Sequence, residues 1–362
     1  MHTMKQNFFF ITILFLGCIQ LGAQTTDVVT GLIHPRGMAL NGNDLYIAEL
    51  VGAKISKIDI TSPTPTTATD VIILQESPMS LALHGNDLYI AESSGNKISK
   101  IDITSPTPTA TDVFTGIGNP TEVLIVGNDL YMMGFDQGKI SKIDITAPTP
   151  TTATDVITGL SACNGMALNG NDLYFTQIEN GVGKISKIDI TETTPTIIDV
   201  VNGLGWAFNL RFHGNDLYFT QNNATLSKVD VTESTPAIVD VVTVDNGGNS
   251  LSDIIIVGNE IYISMSQGFA GGTIVKYPIP SLSTENDLAM NHSIKFHPNP
   301  TNDFIQVSGL IKGENYVVYD VLGVEVFYGV VSVGGKIDVR KLTDGTYFLK
   351  MNNHTVIKFM KK

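Results

Sequence analysis

The residues with the clearest chemical potential share one position in a repeated block. A Gly-Asn-Asp-Leu-Tyr-like block recurs with its first Asn at Asn43, Asn86, Asn128, Asn171, Asn215 and Asn259. Six residues before each Asn stand Gly37, Ser80, Glu122, Gly165, Asn209 and Asp253. In a ring of repeats, the Glu, Asn and Asp among these would converge on the centre, with Asn164 beside them. Such hard oxygen ligands suit Ca²⁺ or Mg²⁺, and a bound cation could activate water.

The same residues also have a structural interpretation, as the hydrated polar rim of a channel. A carboxylate in water avoids the penalty for burying an unpaired charge, so its presence demands no metal. Asn164 is also one residue out of register, which in a strand turns its side chain away. The sequence contains no nucleophile motif, phosphate loop, CxxC pair, HExxH motif or EF-hand loop.

A second candidate site is a binding surface at the least repeat-like strand entrance, which contains Trp206, Phe208 and Arg211. Tryptophan and arginine often anchor recognition surfaces. The alternative for the single tryptophan is a place in the core.

The elements that carry these residues are predicted strands. In the first unit, Gly37–Leu40 and Leu45–Ala48 flank an Asn-Gly turn, which favours a tight hairpin. Lys54–Ile60 and Thr69–Ile73 are the third and fourth strands. The blocks recur every 42 to 44 residues, and this period with strand-type residues indicates a radial array of small sheets. The prediction is an all-β, six-bladed β-propeller.

The ring is expected to close through its two ends. The sixth unit supplies only three strands and ends near Thr273–Ile279. Thr26–Gly31, which precedes the first unit, resembles the fourth strand of the other units. It is therefore predicted to complete the last blade, which would otherwise keep an exposed edge.

Composition limits the possible partners. The chain has 362 residues, 43% of them hydrophobic and 16% charged, with a formal charge of −13. From Asp287 onward, nine Lys and Arg stand against seven Asp and Glu, so the acidic excess lies in the propeller. An acidic propeller is a poor nucleic-acid binder, because phosphate contacts need a basic face. We expect a monomer without a nucleic-acid partner.

The N-terminus has the order of a secretory signal peptide, predicted over residues 1–23. Lys5 precedes the apolar run Phe8–Leu16, and small residues end at Ala23. The run is too short for a permanent membrane helix, so we do not expect an integral membrane protein. Removal of this segment takes Cys18 with it and leaves Cys163 without a disulfide partner.

The repeat, predicted over residues 24–280, resembles six-bladed propellers of the NHL-repeat, YWTD and regucalcin/gluconolactonase type. The likeness rests on Pro35–Leu40, Asp44–Glu49 and Lys54–Asp59. The resemblance to the last family implies a divalent metal, Ca²⁺ or Mg²⁺, held by Glu122, Asn164, Asn209 and Asp253. It would make Asp253 both a ligand and a candidate general base in a lactonase. The chain departs from the family in placing these residues on consecutive blades.

The final segment resembles the C-terminal sorting domain of type IX secretion cargo. The matching pieces are Phe296–Thr301, Val317–Gly323, Ile337–Val339, Leu342–Leu349 and Val356–Phe359. The resemblance implies a small β-sandwich over residues 294–362, preceded by a linker over residues 281–293. It also implies recognition by the outer-membrane translocon, usual removal of the domain, and release of the cargo or its attachment to the cell surface.

Two functions follow as hypotheses. The first is a secreted, surface-displayed, non-catalytic propeller that binds a protein or glycan partner through one face of the ring. The alternative is a metal-dependent lactonase or related hydrolase that uses the Glu122, Asn209 and Asp253 site.

Overall fold

The computed structural model describes residues 25–148, 151–244, 249–268, 271–279, 295–308, 313–320, 324–351 and 356–362. The predicted signal peptide and linker lie outside the described residues. The chain divides into two compact units, Met1–Pro280 and Ser281–Lys362. None of the described residues belongs to a helix with the length and apolar character needed to cross a membrane.

The first unit begins with one strand and continues with repeated sets of strands. In chain order they are β1 (Thr26–Thr30), β2 (Pro35–Asn41), β3 (Asp44–Glu49), β4 (Lys54–Asp59), β5 (Thr69–Ile73), β6 (Pro78–His84), β7 (Asp87–Glu92), β8 (Lys97–Asp102), β9 (Thr111–Thr115), β10 (Pro120–Val126), β11 (Asp129–Gly134), β12 (Lys139–Asp144), β13 (Thr154–Thr158), β14 (Met166–Asn169), β15 (Asp172–Glu179), β16 (Val182–Asp189), β17 (Ile198–Leu204), β18 (Ala207–His213), β19 (Asp216–Gln221), β20 (Thr225–Asp230), β21 (Val239–Thr243), β22 (Asn249–Val257), β23 (Glu260–Gln267) and β24 (Gly271–Pro278).

In the described part of this unit the strands form six four-stranded antiparallel sheets. Five are built in chain order, and the sixth has the order β1-β24-β23-β22. The first strands of the sheets, β2, β6, β10, β14, β18 and β22, contact one another in sequence, and β22 contacts β2. They form the hub of a six-bladed β-propeller, as the sequence predicts.

Each hairpin between the first two strands of a blade turns at a glycine. Gly42, Gly85, Gly127, Gly170, Gly214 and Gly258 all have φ between +59° and +61°. A side chain at this backbone conformation is strained, so glycine is the residue that permits the tight turn. The repeated Asn-Gly and Gly-Asn pairs therefore set the strand register.

The Asp and the Tyr of the repeated block both contact a lysine of the third strand, the Asp by an ion pair and the Tyr by its ring. In blade 1, Lys57 Nζ lies 2.7 Å from Asp44 Oδ2 and 5.8 Å from the centre of the Tyr46 ring. The same arrangement recurs at Lys100, Lys142, Lys187 and Lys228. The block acids thus fix the second strand to the third and do more than provide solubility.

The core lies between neighbouring blades. One cluster joins Tyr46 and Ile55 of blade 1 to Leu81 and Leu88 of blade 2, and each of the other blade interfaces in the described part has a cluster of this kind. A sheet of this size cannot shield both of its faces alone, so the blades must stack. The continuous apolar runs of the inner strands follow from burial on both faces.

Strand β1 closes the ring as predicted. It pairs antiparallel with β24, Thr26 opposite Lys276 and Thr30 opposite Thr273. On its other side, Thr66 N donates a hydrogen bond of 2.7 Å to Val28 O. The strand therefore completes blade 6 and also contacts the connection between β4 and β5 of blade 1.

The second unit is a small β-sandwich. Its strands are β25 (Lys295–His297), β26 (Phe304–Ser308), β27 (Glu314–Tyr319), β28 (Glu325–Val331), β29 (Lys336–Asp338), β30 (Gly345–Met351) and β31 (Val356–Lys361). They form sheets of order β25-β26-β29 and β28-β27-β30-β31. Buried residues of both sheets, among them Ile305, Ile337, Val318 and Leu349, share one core.

Candidate functional site at the propeller hub

Strand direction gives the propeller two different faces. On one, the hairpin face, lie the glycine turns and the connections between third and fourth strands. There the side chain of Asp59 accepts hydrogen bonds from Thr61 N and Oγ1 at 2.8 and 2.6 Å. The same turn recurs at Asp102, Asp144, Asp189 and Asp230. This face is built from nearly identical turns.

The opposite face, the entrance face, contains the starts of the hub strands and the connections between second and third strands. The latter differ in sequence from blade to blade, as in Leu50–Ala53, Ser93–Asn96 and Phe135–Gly138. The side chains predicted to converge lie near this face, because they stand at the beginnings of the hub strands. Repetition on one face and divergence on the other place the chemical variety of the molecule on the entrance face.

At the hub, Glu122 of β10 and Asn209 of β18 meet across the ring. Asn209 Nδ2 donates a hydrogen bond of 3.0 Å to Glu122 Oε2, between residues 87 positions apart in sequence. Glu122 also forms a hydrogen bond with Ser80 of blade 2. The predicted convergence of the ring position is therefore present for these residues.

Asp253 of β22 connects blade 6 to blade 1. Its Oδ2 accepts a hydrogen bond of 2.7 Å from Met38 N, and its Oδ1 accepts one of 2.7 Å from Ile254 N. The carboxylate thus accepts a backbone hydrogen bond from the first strand of the neighbouring blade, at the junction where the ring closes.

A cation already occupies the space between these acids. Arg211 Nη1 donates a hydrogen bond of 2.7 Å to Asn209 Oδ1, and Nη2 lies 3.2 Å from Asp253 Oδ1. Arg211 Nη1 is 4.0 Å from Glu122 Oε1. Glu122, Asn209, Arg211 and Asp253 form the hub cluster, which joins blades 3, 5 and 6 by side chains.

The hub cluster is buried, and this corrects the expectation of a hydrated rim. Glu122 and Asp253 are each 3% exposed. Close packing of the hub strands explains the burial. A Cβ built on Gly165 would lie 2.1 Å from Phe208 O, and one built on Gly37 would lie 2.6 Å from Ser80 Cα. Glycine at these two ring positions lets adjacent blades approach closely and shut out water.

Burial dominates the titration of the two acids. It raises the pKa of Glu122 to about 8, with a smaller upward contribution from Asp253, against the opposing effects of Arg211 and the hydrogen bonds from Ser80 and Asn209. Burial also raises the pKa of Asp253, opposed by Arg211 and the backbone donors.

This shift predicts a pH-dependent stability. Because the folded-state pKa of Glu122 lies above its unfolded value, the folded chain binds more protons between about pH 4.5 and 8. Stability should therefore fall as pH rises through this window, with a slope of at most about 1.4 kcal/mol per pH unit from this group. Glu122→Gln should remove that part of the slope in urea unfolding measured from pH 5 to 9. The exposed Glu192→Gln serves as control, and an unchanged slope in Glu122→Gln would contradict the shift.

Beside the hub cluster lies a cavity of about 30 Å³, the hub cavity. Besides Glu122, Asn209 and Asp253, its lining includes Arg36, Met79, Thr121, Asn164, Phe208 and Ser252. The volume holds a small polar group or a few water molecules. Asn164 thus faces the predicted site, although it precedes β14 and its amide hydrogen-bonds Ala162 O at 3.4 Å.

The four residues of the predicted metal set do not form a ready donor set for a divalent cation in this geometry. Asp253 and the oxygen of Asn209 are bound to the Arg211 guanidinium, whose positive charge would repel a second cation. In the described ranges, no group of three or more His, Cys, Asp or Glu could hold a metal. A cation at this place requires Arg211 to move away.

The predicted binding surface divides into separate environments. Trp206 is 48% exposed in the connection between β17 and β18, on the entrance face. Phe208 lines the hub cavity, and the Arg211 guanidinium belongs to the hub cluster. Sequence reasoning placed the three together and missed the role of Arg211 as the partner of the acids.

Near the ends of several second strands, a Glu or Gln side chain forms a hydrogen bond with a serine of the third strand. Ser56 Oγ donates a hydrogen bond of 2.7 Å to Glu49 Oε1, while Gln177 Nε2 donates one of 3.0 Å to Ser186 Oγ. Equivalent pairs are Glu92 with Ser99 and Gln221 with Ser227. Either Glu or Gln can bond a hydroxyl, so this contact is kept in blades 1, 2, 4 and 5 although the residue type varies.

Comparison with known proteins supports the two-part architecture. A family model described as a secretion system C-terminal sorting domain matches residues 295–362. A search of curated proteins by sequence found no match. Among solved structures, a calcium-binding regucalcin from Agrobacterium tumefaciens is similar, with a TM-score of 0.55, 11% identity, and coverage of 71% of this chain and 94% of that one.

Two further structures show the same similarity of fold. The PQQ-bound aldose sugar dehydrogenase from Streptomyces coelicolor has a TM-score of 0.54 at 14% identity, covering 69% of this chain and 96% of that one. A putative glucose dehydrogenase from Thermus thermophilus has a TM-score of 0.54 at 13% identity, covering 70% and 100%. At identities this low, the structural similarity shows the fold alone and does not show that this chain shares the activity of either protein. The chain is therefore a β-propeller protein with a C-terminal sorting domain of the type IX secretion system, and is exported.

Proposed function

We propose that this protein is a binding module, an exported propeller that engages a protein or glycan partner through its entrance face. Both exposed aromatic side chains in the described part of the propeller, Phe135 and Trp206, lie on that face, together with the exposed Ile33, Val51 and Val182. Exposed aromatic residues on rigid elements are typical anchors of recognition surfaces.

The observation that carries the proposal is the position of Arg211. A catalytic carboxylate needs a free oxygen that can reach a substrate or a metal. Asp253 instead accepts two backbone hydrogen bonds and an ion pair with Arg211. The hub acids are thereby engaged in holding blades together, which favours a scaffold that binds over a pocket that reacts.

A binding assay with matched surface variants tests this proposal. The protein is screened against an array of glycans and against candidate surface proteins of the same cell envelope. Trp206→Ala should weaken the strongest interaction at least about tenfold, which is the loss of roughly 1.4 kcal/mol at an anchor residue. Ile198→Ala, which changes a similarly exposed apolar residue on an outer strand, should leave it unchanged. Equal loss in both variants, or no loss in either, would contradict an entrance-face site.

The metal-dependent hydrolase of the lactonase type is the second candidate. The meeting of Glu122 with Asn209, and the cavity that they share with Asp253 and Asn164, favour it. In that case Ca²⁺ or Mg²⁺ would displace Arg211, and Asp253 would become a ligand. A rise in melting temperature on adding either cation, lost in both Glu122→Gln and Asp253→Asn, would favour this candidate over the binding module.

We propose further that the mature protein is displayed at the outer-membrane surface. Removal of the sorting domain by the translocon machinery would leave the propeller attached there, whereas a form found only in the medium would contradict display. The expected observation is a cell-surface form that lacks residues 294–362 as well as the predicted signal peptide, residues 1–23. Mass spectrometry of surface-shaved and culture-medium fractions would distinguish display from release.

A further inference from the structure

Arg36 is a second arginine at the hub, and it does not belong to the hub cluster. It lies on β2, lines the hub cavity, and donates a hydrogen bond of 3.2 Å from Nη1 to Ser252 Oγ. Its Nε is buried without a hydrogen-bond partner. Among the described residues, no carboxylate oxygen lies within 4.0 Å of its guanidinium, whereas Arg211 lies within that distance of both acids.

An arginine in this setting needs a negative partner. Burial lowers the pKa of Arg36, so its positive charge is poorly compensated by water. Burial and next the positive charge of Arg36 also lower the pKa of the neighbouring His34. A buried charge without a partner is costly, and an ion pair with good hydrogen bonds relieves that cost. The described surroundings of Arg36 supply a serine hydroxyl but no anion.

The two acids of the hub face Arg211 and not Arg36, since both lie within 4.0 Å of the Arg211 guanidinium. The partner of Arg36 must therefore come from outside the hub cluster. A dianion such as phosphate would bring more negative charge close to the two acids than a carboxylate would.

We propose that the hub cavity, which has room for one small polar group, binds a carboxylate group on Arg36, and that the rest of the ligand lies outside the cavity. The planar fork of a guanidinium matches a carboxylate in shape and charge. Arg36 Nη2 makes no hydrogen bond to the described residues and is open to a ligand. Thr121 and Asn164, which also line the cavity, offer further polar atoms.

This inference deepens the proposed function, because it assigns the acidic group of the partner to the centre of the entrance face. It does not depend on Trp206, which does not line the cavity. The two ideas can therefore fail separately.

Acetate is a suitable probe, because it is a carboxylate small enough for the cavity. Acetamide, its amide, is the neutral match. Isothermal titration calorimetry with the intact protein should show that the acid binds about ten to a hundred times more tightly than the amide, as expected for charge-assisted hydrogen bonds. Equal binding of acid and amide, or of inorganic phosphate in preference, would overturn the carboxylate assignment.

Variants localise the interaction. Arg36→Gln should lose the preference for the acid, while Arg36→Lys should retain part of it because the charge remains without the fork. Ile198→Ala, an exposed change on an outer strand, should bind the acid as the wild type does. If Arg36→Gln proves unstable, the acid and amide comparison on the wild type still decides the question. A full preference retained in Arg36→Gln would overturn the site.

Discussion

Deletion of residues 25–32 is expected to prevent the propeller from closing. Val28, Val29 and Leu32 are buried in the interface between blades 6 and 1. Full burial of such a side chain contributes about 1.5–3 kcal/mol, so together they approach the net stability of an ordinary domain, about 5–15 kcal/mol. The deletion also removes the hydrogen bonds from Thr273 Oγ1 and Thr66 N to the strand. Circular dichroism melting should show a transition lower by at least about 10 °C, or none.

A point variant keeps this prediction independent of chain length. Val29→Asp places a charge in the same buried interface and should destabilise the ring in the same direction. Thr26→Ala, an exposed change on the same strand, is the control and should melt like the wild type. An unaltered melting curve for both the deletion and Val29→Asp would rule out closure by this strand.

Replacement of Asp253 by alanine should produce the largest effect of any single change at the hub. The substitution leaves Arg211 without its closest acid and Met38 N without its acceptor, in a site closed to water. Removing one partner of a buried ion pair costs about 3–5 kcal/mol. Urea unfolding should show that loss at neutral pH.

Two comparisons separate this effect from the loss of a carboxylate as such. Asp59→Ala removes an exposed acid from a turn of the hairpin face and should change the urea midpoint little. The double variant Asp253→Ala with Arg211→Met should be more stable than the sum of the two single losses predicts, because neither charge is then left alone. Additive losses would show that the two residues act independently.

Because the chain is built from repeats, most of the fold could be predicted from the sequence. The Asn-Gly turns predicted the hairpins of the blades, and the fixed period predicted their number. The Thr26–Gly31 segment resembles the fourth strands of the other units, which predicted its place as the closing strand. Strand ends differ by one or two residues, as for β2, which begins at Pro35. Boundaries depend on individual hydrogen bonds, which local composition does not determine.

Only part of the hub could be predicted from the sequence. Alignment of the units correctly brought Glu122 to Asn209, but the sequence did not reveal burial, which results from how closely six strands pack around the axis. The role of Arg211 did have a signal. It stands two residues after Asn209 on one strand, and side chains at this spacing point to the same side. A cation on the inward side of a strand beside two acids is a natural partner for them.

The hydrogen bond between Thr273 and Val29 joins residues 244 positions apart, and this has a consequence for the order of synthesis. The ribosome makes β1 before any blade, and its pairing partner β24 follows only after all the other propeller strands. Such distant contacts form late, because the intervening chain must be ordered first. Translation that stops before Gly271 therefore yields a product that lacks both β24, which pairs with β1, and the C-terminal sorting domain. Closure of the ring and export through the translocon therefore both require synthesis of the C-terminal part of the chain.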